Sequence, residues 1–92
     1  MNTQHVELTR AEMAALGAER CKWRRRLQEV MDKENTNPNQ LSRVLGLSHN
    51  TVYRVLAGTL HTPSVLDWLR EHGAKEKYLC DPRNHTNRRE AA

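Results

Sequence analysis

The sequence predicts an all-α domain of four to five helices with a long N-terminal helix. Three observations carry that expectation. Helix-favouring residues run almost unbroken from Arg10 to about Lys33. Beyond them, apolar residues recur at spacings of three and four. Capping residues and glycines then cut the second half of the chain into short pieces. A chain of 92 residues holds one compact domain. A domain of this size buries only about 60% of the surface its unfolded chain exposes, so the core must be thin.

The first helix start is well specified. Thr9 and Glu12 have the spacing of a capping box, and Leu8 with Met13 has that of a hydrophobic staple. Gly17 is the weak point of the segment and the expected place for a bend or break. Leu16, Trp23, Leu27, Val30 and Met31 share one face, which should dock on the core. Arg20, Lys22, Arg24, Arg25 and Arg26 form a basic run opposite them, read as a solvated face or as phosphate or RNA-like backbone contacts. Asn37 caps a second, short helix from Pro38 to Leu45, whose apolar residues are Leu41, Val44 and Leu45. Gly46 ends it. Ser48 is the expected cap of a third helix, His49 to Ala57, with Val52, Val55 and Leu56 as its buried stripe and Gly58 as its stop. Thr62 and Pro63 open a fourth helix through about His72, closed by Gly73. Residues 75–80 have room for one more turn anchored by Tyr78 and Leu79. Residues 1–8 are expected to be a flexible N-terminus, 9–80 the folded domain and 81–92 a disordered tail.

Lysine and arginine number 15 against 11 aspartates and glutamates, a formal charge of +4. That balance suits a polyanionic partner, by long-range attraction and counterion release. Cys21 and Cys80 make no CxxC and no zinc spacing, and are expected to be reduced thiols. The N-terminus lacks the basic flank and apolar core of a signal peptide, and no apolar run reaches the ~20 residues of a membrane span. A cytoplasmic protein without membrane attachment is the expectation.

Two short helices joined through a turn glycine have the outline of a helix-turn-helix. With Gly46 in the turn, Leu41 and Leu45 lie inward on the first helix, Leu47 plugs the turn, and Val52 and Val55 lie inward on the second. Ser42 is the small residue where the helices cross. The stretch NPNQLSRVLGLSHNTVYRVLAGTLHTPSVLDWL resembles the helix-turn-helix of the Cro/repressor (Xre-like) family of phage and bacterial transcriptional regulators. The LSxxLGLS turn, the TVYRVLAG helix and the TPS start of the next helix carry the likeness, over residues 24–73. The chain departs from the family pattern in having serine at 42 where alanine is usual, in its long basic N-terminal helix, and in leaving little sequence for the fifth helix through which such proteins dimerise.

The resemblance implies a lambda-repressor-like domain whose helix 49–57 enters the major groove of double-stranded DNA. His49, Asn50, Thr51, Tyr53 and Arg54 would then face the bases. Their chemistry suits that role: arginine pairs bidentately with guanine, asparagine with adenine, and a threonine methyl touches thymine. Asn39, Gln40, Arg43 and Ser48 would meet phosphates at the start of helix 38–45, where free amides favour an anion. Thr59, His61 and Thr62 would clamp the backbone beyond the recognition helix. Such contacts set register rather than sequence preference. One recognition helix reads few base pairs, so a homodimer on a palindromic operator is expected. Leu66, Leu69, Tyr78 and Leu79, or Met13 and Leu16, are its candidate contacts. The expected activity is transcriptional regulation, most simply repression.

The five histidines are scattered and none has an adjacent nucleophile or paired carboxylate, so no enzyme is expected. There is no phosphate-binding glycine loop. No cofactor, metal or small-molecule substrate is expected. The competing reading is a protein-interaction module, such as an antitoxin or a phage factor that occupies a host protein.

Overall fold

The computed structural model describes residues 8–84, which fold as helices with no strand among them. Six helices follow in order: α1 Arg10–Lys22, α2 Arg24–Lys33, α3 Pro38–Val44, α4 Thr51–Ala57, α5 Pro63–Glu71 and α6 Glu76–Leu79. A last helical turn covers residues 82–84. The segments 1–7 and 85–92, which include most of the expected flexible N-terminus and tail, lie outside the described residues.

The capping box forms as its spacing predicts. The Thr9 amide donates to Glu12 Oε1 at 2.7 Å, and the Glu12 amide donates to Thr9 Oγ1 at 3.1 Å. The expected single helix from Arg10 to Lys33 is two helices, and the break falls at Trp23 rather than Gly17. Gly17 instead lies buried against Gly58 at the end of α4. A Cβ on either glycine would overlap the other's carbonyl, so the two backbones touch only because both side chains are absent.

The core is built from Leu27, Val30 and Met31 of α2, Leu41 of α3, Val52, Val55 and Leu56 of α4, and Val65, Leu66 and Leu69 of α5, closed by Leu79. Leu45, Leu47, Trp68 and Tyr78 pack against it half-buried. Val44 does not join its expected neighbours and is 74% exposed. Seven residues make barely two turns, and α3 uses Leu41 and Ser42 to meet α4, which turns Val44 to the outside. Leu66, Leu69 and Leu79 are each fully buried, so they are not available as dimer contacts.

The connection between α3 and α4 shows how a local signal is completed by a distant one. Asn37 caps α3 by accepting from the Gln40 amide at 2.9 Å, and Gly46 takes the left-handed backbone expected of it, with φ of 72°. Ser48 does not cap α4. The helix begins at Thr51, after Asn50 in the left-handed region with φ of 70°, and Asn50 makes no side-chain cap. The cap comes from α3: Ser42 Oγ accepts from the Val52 amide at 3.1 Å and donates to the Pro38 carbonyl at 2.9 Å.

Arg20, expected in the solvated basic run, is the most enclosed polar side chain of the fold at 0% exposure. Nε donates to the Leu79 carbonyl at 2.7 Å, and Nη1 to the carbonyls of Val55 at 3.1 Å and Leu60 at 2.9 Å. Nη2 donates to the Cys80 carbonyl at 3.1 Å and to His61 Nδ1 at 2.8 Å. A guanidinium has five N–H donors, and each has an acceptor here. Burial lowers the Arg20 pKa, while Cys80 and Asp81 act to raise it.

The disordered tail expected from residue 81 does not begin there. Asp81 is buried, and its carboxylate receives Arg70 at 2.9 Å and Arg83 at 2.7 Å. Burial raises its pKa, but hydrogen bonds from Arg83 and Arg70 outweigh this and hold it down at about 2.

Candidate nucleic-acid interface

The candidate surface is the outer side of α3, the following turn and α4. Val52, Val55 and Leu56 fill one face of α4 with core contacts, which leaves the opposite face to Tyr53 and Arg54. Tyr53 is 61% exposed. Arg54 is exposed, and neither it nor Arg43 has an ion pair among the described residues.

The five candidate base contacts divide into two groups. Thr51, Tyr53 and Arg54 stand on α4 itself, with Thr51 half-buried. His49 and Asn50 are exposed but precede the helix, in the turn. Asn50 has a conformational reason for its identity, because asparagine tolerates the left-handed backbone that the helix entry requires.

On the α3 side, Asn39, Gln40, Arg43 and Ser48 are all exposed. Asn39, Arg43 and His49 line one shallow depression with Ser42 and Leu47, so the turn brings residues of both groups together. The Gln40 amide, one of those expected to be free for an anion, is already taken by the Asn37 side chain. That leaves the side chains to supply charge at this end.

The loop after α4 departs most from expectation. Thr59 is exposed, and its hydroxyl and amide both donate to the Arg54 carbonyl, at 3.2 and 3.0 Å, closing the end of α4. Thr62 is half-buried at the start of α5 and makes no side-chain cap. His61 is turned inward. Arginine has no acceptor atom, so Nδ1 of His61 must accept from Arg20, which fixes the neutral ring with its proton on Nε2. Burial chiefly, and the Arg20 charge next, push the His61 pKa below its ordinary value; a hydrogen bond to the Met13 backbone pulls weakly the other way. With Nδ1 held by Arg20 and the ring half-buried, His61 does not stand free as a phosphate clamp.

Arg20 and Ser42 were not legible as parts of this assembly. Arg20 ties the last turn of α4 and the loop behind it to the end of α6, across separations of 35 to 60 residues. Nothing local to Arg20 distinguishes it from its exposed neighbours. The departure from alanine at position 42 was a signal, but a hydroxyl that caps another helix is visible only in three dimensions. Among the described residues, no helix is long and apolar enough to cross a membrane.

What these residues define is a small all-α protein with a solvent-facing, cation-bearing surface on its two shortest central helices. No family model, curated protein or solved structure matches the chain.

Proposed function

We propose that the protein is a sequence-specific double-stranded DNA-binding regulator of transcription, in which α3, the turn and α4 act as a lambda-repressor-like helix-turn-helix. The observation that supports this most is the division of α4. One face is sealed into the core, and the other offers Arg54 and Tyr53 to solvent, with Arg43 exposed nearby on α3. Arg54 would read a guanine edge, with Thr51, Tyr53, His49 and Asn50 around it. Asn39, Gln40, Arg43, Ser48, Thr59 and Thr62 would set the register on the phosphates. The protein would act in the cytoplasm as a homodimer, most simply as a repressor that occupies a palindromic operator. Of the apolar residues considered for the dimer contact, Met13, Leu16 and Tyr78 retain exposed surface.

Selection of bound sites from a random duplex library tests the proposal. The expected outcome is enrichment of a palindrome with half-sites about one helical turn apart. Failure to enrich any sequence would sink it.

One observation favours a second reading, in which the same surface binds a protein, as an antitoxin or a phage factor would. Val44 and Tyr53 leave two large apolar side chains in solvent on α3 and α4, at 74% and 61% exposure. Salt separates the two readings, because binding to duplex DNA must weaken steeply as salt rises.

A further inference from the structure

A second cationic surface lies on α1, α2 and α6, formed by residues that the proposed duplex contact does not use. Two adjacent depressions share Arg26 and Glu29 as a common wall. One is lined by Lys22, Trp23, Arg24 and Arg25, the other by Lys33, Lys75 and Tyr78. At their junction the Trp23 and Tyr78 rings lie 4.7 Å apart between centroids, and the Lys77 ammonium sits 5.7 and 5.5 Å from those centroids.

The charge along this band is only partly neutralised locally. Lys22 and Arg26 have carboxylate neighbours, Glu19 at 3.4 Å and Glu29 at 3.5 Å. Arg24, Arg25, Lys33, Lys75 and Lys77 have no ion pair among the described residues. Arg24 and Arg25 line the first depression without a carboxylate partner, so a polyanion matches the charge presented there. The half-buried Trp23 and Tyr78 leave part of their ring surface on the walls of the two depressions. A positively charged groove with aromatic side chains along it is the arrangement that holds single-stranded nucleic acid, whose bases are free to stack while the phosphates track the cations. Duplex DNA offers no unstacked base, and a purely acidic chain such as poly-glutamate has no ring to stack on Trp23 or Tyr78.

We propose that this band binds single-stranded nucleic acid, independently of the duplex contact proposed for α4. The chain has two tryptophans, so in the Trp68→Phe variant Trp23 is the sole reporter. Titration with a short oligo(dT) strand should quench its fluorescence to saturation. Filter retention of labelled oligo(dT) by the unsubstituted protein gives the affinity without altering Trp68. The Arg24→Ala/Arg25→Ala double variant, which changes only exposed helix positions, should bind about tenfold more weakly. Its slope of log affinity against log salt should be shallower by about 1.4, since each phosphate that a cation neutralises contributes roughly 0.7 on a single strand. Arg54→Ala should leave oligo(dT) binding unchanged whether or not α4 reads duplex DNA. The proposal is overturned if oligo(dT) is not retained or the double variant retains it equally well. Equal competition by poly-glutamate or by duplex overturns it too.

Discussion

Ser42 on α3 accepts a hydrogen bond from the Val52 amide in the first turn of α4, at 3.1 Å. The N-terminal amides of a helix lack intrahelical partners, and Asn50, in a left-handed conformation, does not serve them. One hydroxyl therefore sets where α4 starts and locks it to its neighbour. Alanine at 42 would keep the close crossing but leave a buried amide unsatisfied. Ser42→Ala is expected to cost about 1–2 kcal/mol in denaturant unfolding. A neutral or stabilising result would mean that the Val52 amide finds another acceptor.

The contact between Gly17 and Gly58 makes a sharper test, because two effects oppose each other. Alanine at a helical position gains up to about 1 kcal/mol over glycine. The new Cβ would meet the backbone of Gly58, which cannot swing aside as a side chain can. Forcing atoms into a packed contact costs about 1–3 kcal/mol or more, so steric overlap wins. Gly17→Ala should lower Tm, and a raised Tm would show that α1 and α4 are not in backbone contact.

Arg20 should tolerate no replacement, including lysine. An ammonium has three donors for the five acceptors that Arg20 now serves, and a different shape. Each carbonyl left without a partner in the interior costs about 1–3 kcal/mol. Arg20→Lys is therefore expected to lose roughly 3 kcal/mol or more, a large part of the roughly 5–15 kcal/mol typical of a whole domain. Arg25→Lys, at an exposed position, should leave the unfolding midpoint where it is.

Acid should weaken the fold in two separate windows. The His61 pKa is lowered from 6.5 in the native state. As pH falls past that value the unfolded chain takes up a proton that the folded one refuses, so stability declines until the folded pKa is passed. The Asp81 pKa is lowered from 3.8 to about 2, so its stabilisation is complete above 3.8 and is lost as pH falls toward 2. That depression corresponds to roughly 2 kcal/mol. Melting curves across both windows check this. His61→Asn, which cannot titrate, should flatten the upper limb, and Asp81→Asn the lower one. Unchanged slopes would contradict the assigned partners.

On the proposed recognition surface, Arg54→Ala should cost about 1–3 kcal/mol on a selected site and relax preference at one base pair. Arg43→Ala should weaken all duplexes about equally and shallow the salt slope. Competition binding with matched and mismatched duplexes distinguishes the two, and exchanged phenotypes would reverse the roles given to these arginines.

The sequence by itself determined the helical class, the capping box at Thr9, the cap at Asn37, the left-handed glycine at 46 and the buried stripe of α4. These are local matters: a cap lies three residues from its amide, and a stripe repeats every three or four positions. Tertiary structure alone decided which cation of the basic run is buried, why position 17 is glycine, what the Ser42 hydroxyl holds, and that Val44 faces out while His61 and Asp81 face in. Each depends on partners brought close from elsewhere in the chain or on the way α3 is set against α4. Arg20 reaches carbonyls 35 to 60 residues away, and Gly17 meets a backbone that periodicity cannot foresee. Helical spacing tells which residues share a face, but the face's partner is fixed only when the helices pack.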